Sequence, residues 1–248
     1  MTIALRRRLL AEFIGTALLV AAVVGSGIMA ATLSPGDVGL QLLENSIATA
    51  LALGALILIF GPVSGAHFNP VVSAADWFLG RRAGTGLTAR DLSGYVVAQI
   101  AGAIGGSMLT NLMFDLSAVT WSSKDRAAGH LWLGEVVATT GLILLIFALA
   151  RSGRAPVAPA AVGAYIGAAY WFTSSTSFAN PAVTIGRAFT DTFAGIAPAS
   201  VPGFVVAQVV GLAVGVGLLA ALYPDAGQAA DQVVVPSDER DPALDRRP

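Results

Sequence analysis

Long apolar stretches separated by short polar connectors dominate the chain. A transmembrane helix needs about 20 consecutive apolar residues to cross the hydrocarbon core of a bilayer. Six stretches approach or exceed that length, which predicts six spans at residues 9–31, 41–61, 92–114, 131–150, 157–173 and 202–223. The segment 224–248 that follows is polar and contains proline, and we expect it to be a disordered cytoplasmic tail.

Composition supports an integral membrane protein. Hydrophobic residues make up 55% of the chain and charged residues only 12%, whereas soluble domains carry about 25% charged residues. The net charge of −1 gives no electrostatic reason to expect a nucleic-acid partner. The chain has 0 cysteines, which excludes a thiolate metal site, and its 2 histidines lie far apart in sequence. We therefore expect no metal and no cofactor.

Arginines cluster in alternate connectors, which predicts the orientation of the spans. They lie at residues 6–8, at Arg81, Arg82 and Arg90, and at Arg151 and Arg154. Because positive connectors face the cytoplasm, we expect a multi-pass protein of the plasma membrane with both termini inside. The basic N-terminus also resembles a signal peptide, but its apolar stretch is long and holds Glu12, so we interpret it as the first span.

The two halves of the chain resemble each other. LLAEFIGTALLV matches LWLGEVVATTGLIL, VVAQIAGAIGG matches VVAQVVGLAVG, and Asn69-Pro70 matches Asn180-Pro181. The first repeat covers about 8–114 and the second about 130–223. Each repeat holds three spans, so the second enters the membrane from the opposite side, and the pattern predicts an inverted repeat in a single all-α domain over 1–223.

The segments SGAHFNPVVSAADW and TSFANPAVTIGRAF interrupt the spans at equivalent places. Asparagine is a good N-cap and proline fits the first helical position, so each segment predicts a short re-entrant half-helix of about ten residues. A single Asn-Pro pair is more typical of a turn, but two in an inverted repeat favour half-helices. Two helix N-termini and two amides at the bilayer midplane would repel cations, donate to a passing oxygen and interrupt proton hopping.

These segments resemble the paired Asn-Pro-Ala boxes of the aquaporin, or major intrinsic protein, family, and AEFIGTALLV resembles its opening signature. The resemblance covers about residues 8–223. It implies six spans plus two half-helices, a pore in each subunit and a homotetramer in the lipid bilayer. The residues of the two boxes are Asn69, Pro70, Val71, Asn180, Pro181 and Ala182, with Val71 replacing the usual alanine and requiring modest repacking.

The resemblance also assigns roles to buried polar residues. It implies that Glu12 and Glu135 accept hydrogen bonds from the backbone of the re-entrant segments; a proton relay is the alternative for carboxylates inside spans. It implies that His67 lines the cytoplasmic half of the pore, the alternative being a histidine packed in the loop.

The family's narrowest point has four positions, one of which usually carries an arginine directly after the second box. Here that position is Val183, and counting along the chain assigns the others to Thr49, Ala168 and Ser177. This set contains no arginine, histidine or aromatic residue and predicts a wide opening lined by small groups. Such an opening suits water and small neutral solutes, either glycerol-like polyols or metalloid acids such as arsenite; a water-selective pore is the alternative.

Arg187 lies four residues after Val183 and therefore on the same face of a helix, one turn further out. We hypothesise that it lines the outer mouth and partly replaces the missing positive charge. The alternatives are that it extends to the membrane interface or pairs with Asp191.

Two other functional classes are alternatives to a passive channel. Inverted repeats also occur in secondary transporters, where Glu12 and Glu135 would bind a proton. An intramembrane enzyme would use Ser64 and His67, but no carboxylate lies near them in that loop to orient the histidine. We therefore expect no enzymatic activity.

Overall fold

The computed structural model describes residues 3–223, so the predicted tail at 224–248 lies outside the described residues. The described part is all-helical, with eight α-helices, three short 3-10 turns and no strand. The helices are α1 Leu5–Leu33, α2 Val38–Ser64, α3 Pro70–Gly80, α4 Ala89–Met113, α5 Gly129–Arg151, α6 Ala158–Phe172, α7 Pro181–Gly186 and α8 Val201–Leu222.

Five of these helices, α1, α2, α4, α5 and α8, are long and apolar enough to cross a membrane. The fifth predicted span corresponds to α6, which has only 15 residues and follows a 3-10 turn at Ala155–Val157. Prolines lie at the start of both the 3-10 turn and α6. They fit there because the first turn of a helix leaves its N–H groups unpaired, and proline has no N–H. At about 1.5 Å per residue, α6 alone is shorter than a hydrocarbon core.

Helix packing follows the predicted inverted repeat. In the first half α1 packs against α2 and α4, and in the second half α5 packs against α6 and α8. The half-helix α3 contacts α4 of its own repeat and α8 of the other, while α7 contacts α8 and α4 in the same way. The two repeats also meet through α2 and α6, and the half-helices α3 and α7 touch each other.

Glycines allow the closest of these crossings. A Cβ atom added at Gly106 of α4 would lie 2.3 Å from the carbonyl oxygen of Ala17 on α1. In the second repeat, a Cβ at Gly211 of α8 would lie 2.8 Å from the carbonyl oxygen of Val136 on α5. Backbone therefore packs directly on backbone in both halves, as small residues permit between membrane helices.

The second half-helix is shorter than predicted. The sequence analysis expected about ten helical residues after Pro181, but α7 ends at Gly186 and a 3-10 turn covers Arg187–Phe189. Thr190 then adopts an extended conformation, and its hydroxyl donates to the side-chain oxygen of Asn111 on α4 at 2.7 Å. The chain therefore leaves the helical path at Thr190, where this contact joins it to α4.

Candidate functional site

Each half-helix begins at an asparagine that caps its own first turn. The side-chain oxygen of Asn69 accepts from the N–H of Val71 at 3.1 Å. The side-chain oxygen of Asn180 accepts from Ala182 at 3.0 Å and from Val183 at 3.2 Å. Pro70 and Pro181 occupy the first helical positions, where proline costs no hydrogen bond.

The same asparagines also join the two loops. Asn69 Nδ2 donates to the carbonyl of Ala179 at 2.7 Å, and Asn180 Nδ2 donates to the carbonyl of Phe68 at 2.7 Å. An amide group has two N–H donors, so one donor of each asparagine is used inside the protein. Only the second N–H of each asparagine is therefore left to donate to a passing oxygen.

The loops that lead into the half-helices have an unusual backbone. Ala66 and Phe68 in the first loop have φ of 50°, and Ser177 and Ala179 in the second have φ of 49° and 48°. Non-glycine residues in this left-handed region are strained and persist only where surrounding contacts hold them. The matching alternation in the two loops shows that the repeat extends to backbone conformation.

Glu12 supplies the contacts that hold the first loop. Its carboxylate accepts from the backbone N–H of His67 at 3.0 Å and of Phe68 at 2.7 Å. The Ser64 hydroxyl donates to it at 2.6 Å and Gln99 Nε2 at 2.8 Å. A buried carboxylate with four donors is a structural anchor for otherwise unpaired backbone groups.

Glu135 plays the same part in the second loop. It accepts from the backbone N–H groups of Phe178 and Ala179, both at 2.8 Å, and from Gln208 Nε2 at 2.6 Å. The same Gln208 nitrogen also donates to the Thr184 hydroxyl at 2.8 Å. The symmetry of the two clusters supports anchoring over a proton relay.

A narrow cavity runs between these loops. It offers about 60 Å³ to the centres of water-sized molecules, enough for several waters, since one needs about 10–15 Å³ by this kind of measure. Apolar side chains from four helices form part of its wall, among them Leu19, Leu53, Leu142 and Val162. It is also lined by seven of the predicted pore residues, namely Thr49, His67, Asn69, Ser177, Asn180, Val183 and Arg187.

Comparison with known proteins identifies the family of the chain. The sequence pattern of the major intrinsic protein family matches residues 1–177. The chain belongs to that family. The aquaglyceroporin AqpS of Rhizobium meliloti is 53% identical over 215 residues, which cover 87% of this chain and 89% of that protein. The glycerol uptake facilitator protein of Pseudomonas aeruginosa is 32% identical, with 90% of this chain and 92% of that protein covered.

A solved structure supports the fold independently of sequence. The X-ray structure of the aquaglyceroporin from Plasmodium falciparum matches with a TM-score of 0.63 at 20% identity. The match covers 89% of this chain and 96% of that one. The chain is thus a multi-pass membrane protein with the fold of the major intrinsic protein family.

One predicted filter residue of this family member does not reach the cavity. Ala168 is exposed on α6, whereas Ile166 and Tyr170 of the same helix line the cavity. Residues four apart share a helix face, and the residue midway between them points the other way. The placement of Ala168 in the filter is therefore wrong, and the four-residue spacing of Ile166 and Tyr170 was the signal that identifies the inner face.

Tyr170 changes the character of the opening. It is buried, and its hydroxyl donates to the Thr49 hydroxyl at 3.2 Å, so an α6 side chain meets an α2 side chain at the cavity wall. The expectation of a cavity lined there only by small groups, with no aromatic residue, is wrong. Ser177 contributes a different feature, because its buried hydroxyl has no partner among the described residues and lines the cavity.

Arg187 lies against the cavity and is only 3% exposed, which does not fit a side chain extended to the membrane interface. Its Nε donates to the carbonyl of Ala194, and its guanidinium carbon lies 3.5 Å from the ring centroid of Phe178. Asp191 does not pair with it but accepts from the backbone N–H of Ser123 at 2.9 Å and from its hydroxyl at 3.0 Å.

His67 also lines the cavity, and its Nδ1 lies 3.0 Å from the Ser73 hydroxyl. The Ser64 hydroxyl donates to Glu12 instead of His67. The Ser64–His67 pair that an intramembrane enzyme would need is therefore not formed. No cluster of three or more potential metal ligands occurs within residues 3–223.

Proposed function

We propose that this chain forms a passive channel for small neutral solutes, with glycerol-like polyols and trihydroxy metalloid acids as the solute class and water passing as well. The observation that carries the proposal is a cavity that is bounded by two capped half-helices and lined by hydroxyl, amide and apolar groups. Two relatives are named as an aquaglyceroporin and a glycerol uptake facilitator.

The cavity suits a molecule with hydroxyls on one side and carbon on the other. The free amide N–H groups of Asn69 and Asn180 and the unpartnered Ser177 hydroxyl offer replacement for hydration lost on entry. Apolar side chains such as Leu53 and Val162 contact the carbon side without binding it tightly. Both half-helices direct positive dipole ends to the centre, which opposes cations.

The assembly and orientation belong to the same proposal. The arginines in the first turn of α1, around the connector between α3 and α4 and around the connector between α5 and α6 support an orientation with both termini in the cytoplasm. The family relationship supports a homotetramer in the plasma membrane with one pore in each subunit. Because the carboxylates of Glu12 and Glu135 are occupied by loop N–H groups, transport coupled to their protonation is not part of the proposal, and neither is catalysis.

The test is stopped-flow light scattering on proteoliposomes, comparing the permeabilities of water, glycerol and arsenous acid. A variant carrying Val183→Arg is measured beside Val183→Met. Methionine is also long and unbranched but carries no charge, so it separates the effect of bulk from the effect of charge. We expect high, non-saturating solute flux that Val183→Arg reduces more than it reduces water flux, since Val183 lines the cavity.

A water-selective channel is the second candidate. The hydrogen bond between Tyr170 and Thr49 favours it, because this bond holds an aromatic side chain at the wall of the cavity. It predicts water flux without glycerol or arsenous acid flux in the unmodified protein. That result would replace the neutral-solute proposal. Saturable flux driven by a proton gradient would contradict both.

A further inference from the structure

Three cations hold one short segment at the end of the cavity beyond Val183, the end assigned to the outer face. Lys124 Nζ donates to the carbonyl of Phe193 at 2.8 Å, Arg187 Nε to the carbonyl of Ala194, and Arg126 Nε to the carbonyl of Gly195 at 3.1 Å. Three successive carbonyls are therefore each bound by a different positive side chain. We call Lys124, Arg126 and Arg187 the cation clamp.

Phe178 connects the clamp to the second re-entrant loop. The guanidinium carbon of Arg187 lies 3.5 Å and that of Arg126 5.1 Å from the centroid of its ring, both within the range of cation–π contact. The ring is itself fixed, because the backbone N–H of Phe178 donates to Glu135 and the side chain is buried. Arg187 is thus positioned from two directions, by a ring and by a carbonyl.

Carboxylates close to the clamp in sequence are used elsewhere. Asp191 accepts from Ser123, and Asp125 accepts from the Ser200 hydroxyl at 2.9 Å and from the backbone N–H of Ala127. Within residues 3–223, no ion pair joins a member of the clamp to a carboxylate. Its positive charge is therefore not cancelled by a partner at contact distance.

Arg187 also keeps donors available to the cavity. The hydrogen bond to Ala194 uses Nε, and within the described residues neither terminal nitrogen donates to a protein acceptor. Neither nitrogen belongs to the fully buried atoms that lack partners, and the side chain lines the cavity. An arginine has five N–H donors, so four have no protein acceptor among the described residues, and those that face the cavity are available to a solute.

From this geometry we infer that Arg187 sets the charge selectivity at the outer end of the pore, in addition to the half-helix N-termini at its centre: it rejects positively charged solutes and donates hydrogen bonds to neutral hydroxylated ones. The residue takes this role from one helical turn beyond Val183, and Lys124 and Arg126 are positioning residues that hold the segment against which it rests. A fixed charge in a narrow, weakly polar cavity acts strongly on another charge, because little water is present to screen it. This inference rests on the proposed channel function.

The absence of cysteine from the chain makes a direct test possible. The variant Arg187→Cys carries a single thiol, which is treated after reconstitution with aminoethyl methanethiosulfonate to restore a positive charge, or with methyl methanethiosulfonate to add a neutral group. In each case the thiol displaces methanesulfinate and forms a disulfide. The probes are glycerol and serinol, the glycerol analogue in which an ammonium group replaces the central hydroxyl.

We expect unmodified protein to pass glycerol and exclude serinol. In Arg187→Cys the ratio of serinol to glycerol permeability rises on the order of tenfold, as loss of one nearby charge predicts. The aminoethyl group reverses this rise and the methyl group does not. Because one reconstituted preparation is compared before and after labelling, altered folding does not account for the reversal.

A matched control uses Arg154→Cys, an exposed arginine in the connector before α6, where labelling leaves both permeabilities unchanged. A thiol at residue 187 that does not react, or serinol exclusion that is the same with neutral and charged groups, overturns the role of Arg187 while glycerol flux still supports the channel. If unmodified protein passes no glycerol, the proposed function fails first. Loss of water flux in Arg187→Cys that labelling does not restore also overturns the inference, since it assigns the residue to folding.

Discussion

At the scale of single residues, each oxygen of the Glu135 carboxylate serves a different backbone group. One accepts from the N–H of Phe178 and the other from the N–H of Ala179. Both groups belong to a loop with left-handed residues at Ser177 and Ala179. The loop has no regular secondary structure to satisfy these donors, so its conformation depends on a side chain that presents two acceptors.

Glu135→Gln keeps the shape of this side chain but replaces one acceptor with a donor. We expect the free energy of unfolding to fall by about 1–3 kcal/mol, the cost of leaving a buried N–H without an acceptor. Thermal unfolding of detergent-solubilised protein, with water flux in proteoliposomes, measures the effect.

Glu44→Gln is the matched control. One oxygen of Glu44 accepts from Ser34 at 2.7 Å, and the other has no partner among the described residues. An amide there preserves the bond to Ser34 and loses nothing. Equal destabilisation by both substitutions would show that the paired acceptors of Glu135 have no special importance.

At the scale of helices, the crossing of α1 and α4 depends on which glycine faces the partner. A Cβ at Gly106 would lie 2.3 Å from the carbonyl oxygen of Ala17, whereas a Cβ at Gly105 would have only the tip of the Phe13 ring within reach, at 4.0 Å. The adjacent positions have the same residue type on the same helix. They therefore separate the effect of packing from the effect of helix propensity.

Gly106→Ala should lower the thermal stability and reduce solute flux, because α1 must move away from α4. The expected loss is about 1–3 kcal/mol, the usual cost of overpacking. Gly105→Ala should leave stability unchanged or slightly higher, since alanine is the better helix former. Similar melting temperatures for the two variants would contradict the close crossing.

The sequence predicted where the helices lie along the chain better than it predicted which side of each helix faces the pore. Hydrophobic length located the spans, and the Asn-Pro pairs located both half-helices. The extended Thr190 that follows the second half-helix contacts Asn111, and these two residues lie in different repeats. The error at Ala168 has another origin: α6 is apolar on all sides, so its composition does not distinguish the face toward the pore from the face toward lipid.

Other features of the site depend on the complete fold. Gly15 on α1 faces Phe68, whose ring would lie 2.0 Å from an added Cβ, while the equivalent residues of the second repeat are Ala138 and Ala179. No local pattern pairs a glycine in one helix with an aromatic residue in a distant loop. The segment from Phe193 to Gly195 is likewise far in sequence from Lys124 and Arg126, the two clamp residues that bind its ends.

At the scale of the whole molecule, two reciprocal hydrogen bonds join the repeats at their centre. Asn69 donates to the carbonyl of Ala179, and Asn180 donates to the carbonyl of Phe68, both at 2.7 Å. Each asparagine also caps its own half-helix with its side-chain oxygen. One amide therefore stabilises its own half-helix and connects it to the opposite repeat, which also fixes the donors that face the cavity.

Asn69→Asp separates capping from the contact between the repeats. A carboxylate still accepts from the backbone N–H of Val71, but it has no N–H to donate to the carbonyl of Ala179. The carboxylate would instead repel the carbonyl of Ala179 and place negative charge where two helix N-termini oppose cations. We expect a lower melting temperature together with a potassium leak across proteoliposomes, and a similar pair of effects for Asn180→Asp, because the two contacts are equivalent.

Asn111→Asp distinguishes the leak from general destabilisation. Asn111 donates to the carbonyls of Ala118 and Phe189, both at 3.0 Å, but does not line the cavity. Its replacement should lower the melting temperature without a potassium leak. A leak of equal size in all three variants would mean that loosened packing admits the ion, whereas a leak confined to the variants at Asn69 and Asn180 shows that the junction of the two repeats excludes cations in addition to Arg187.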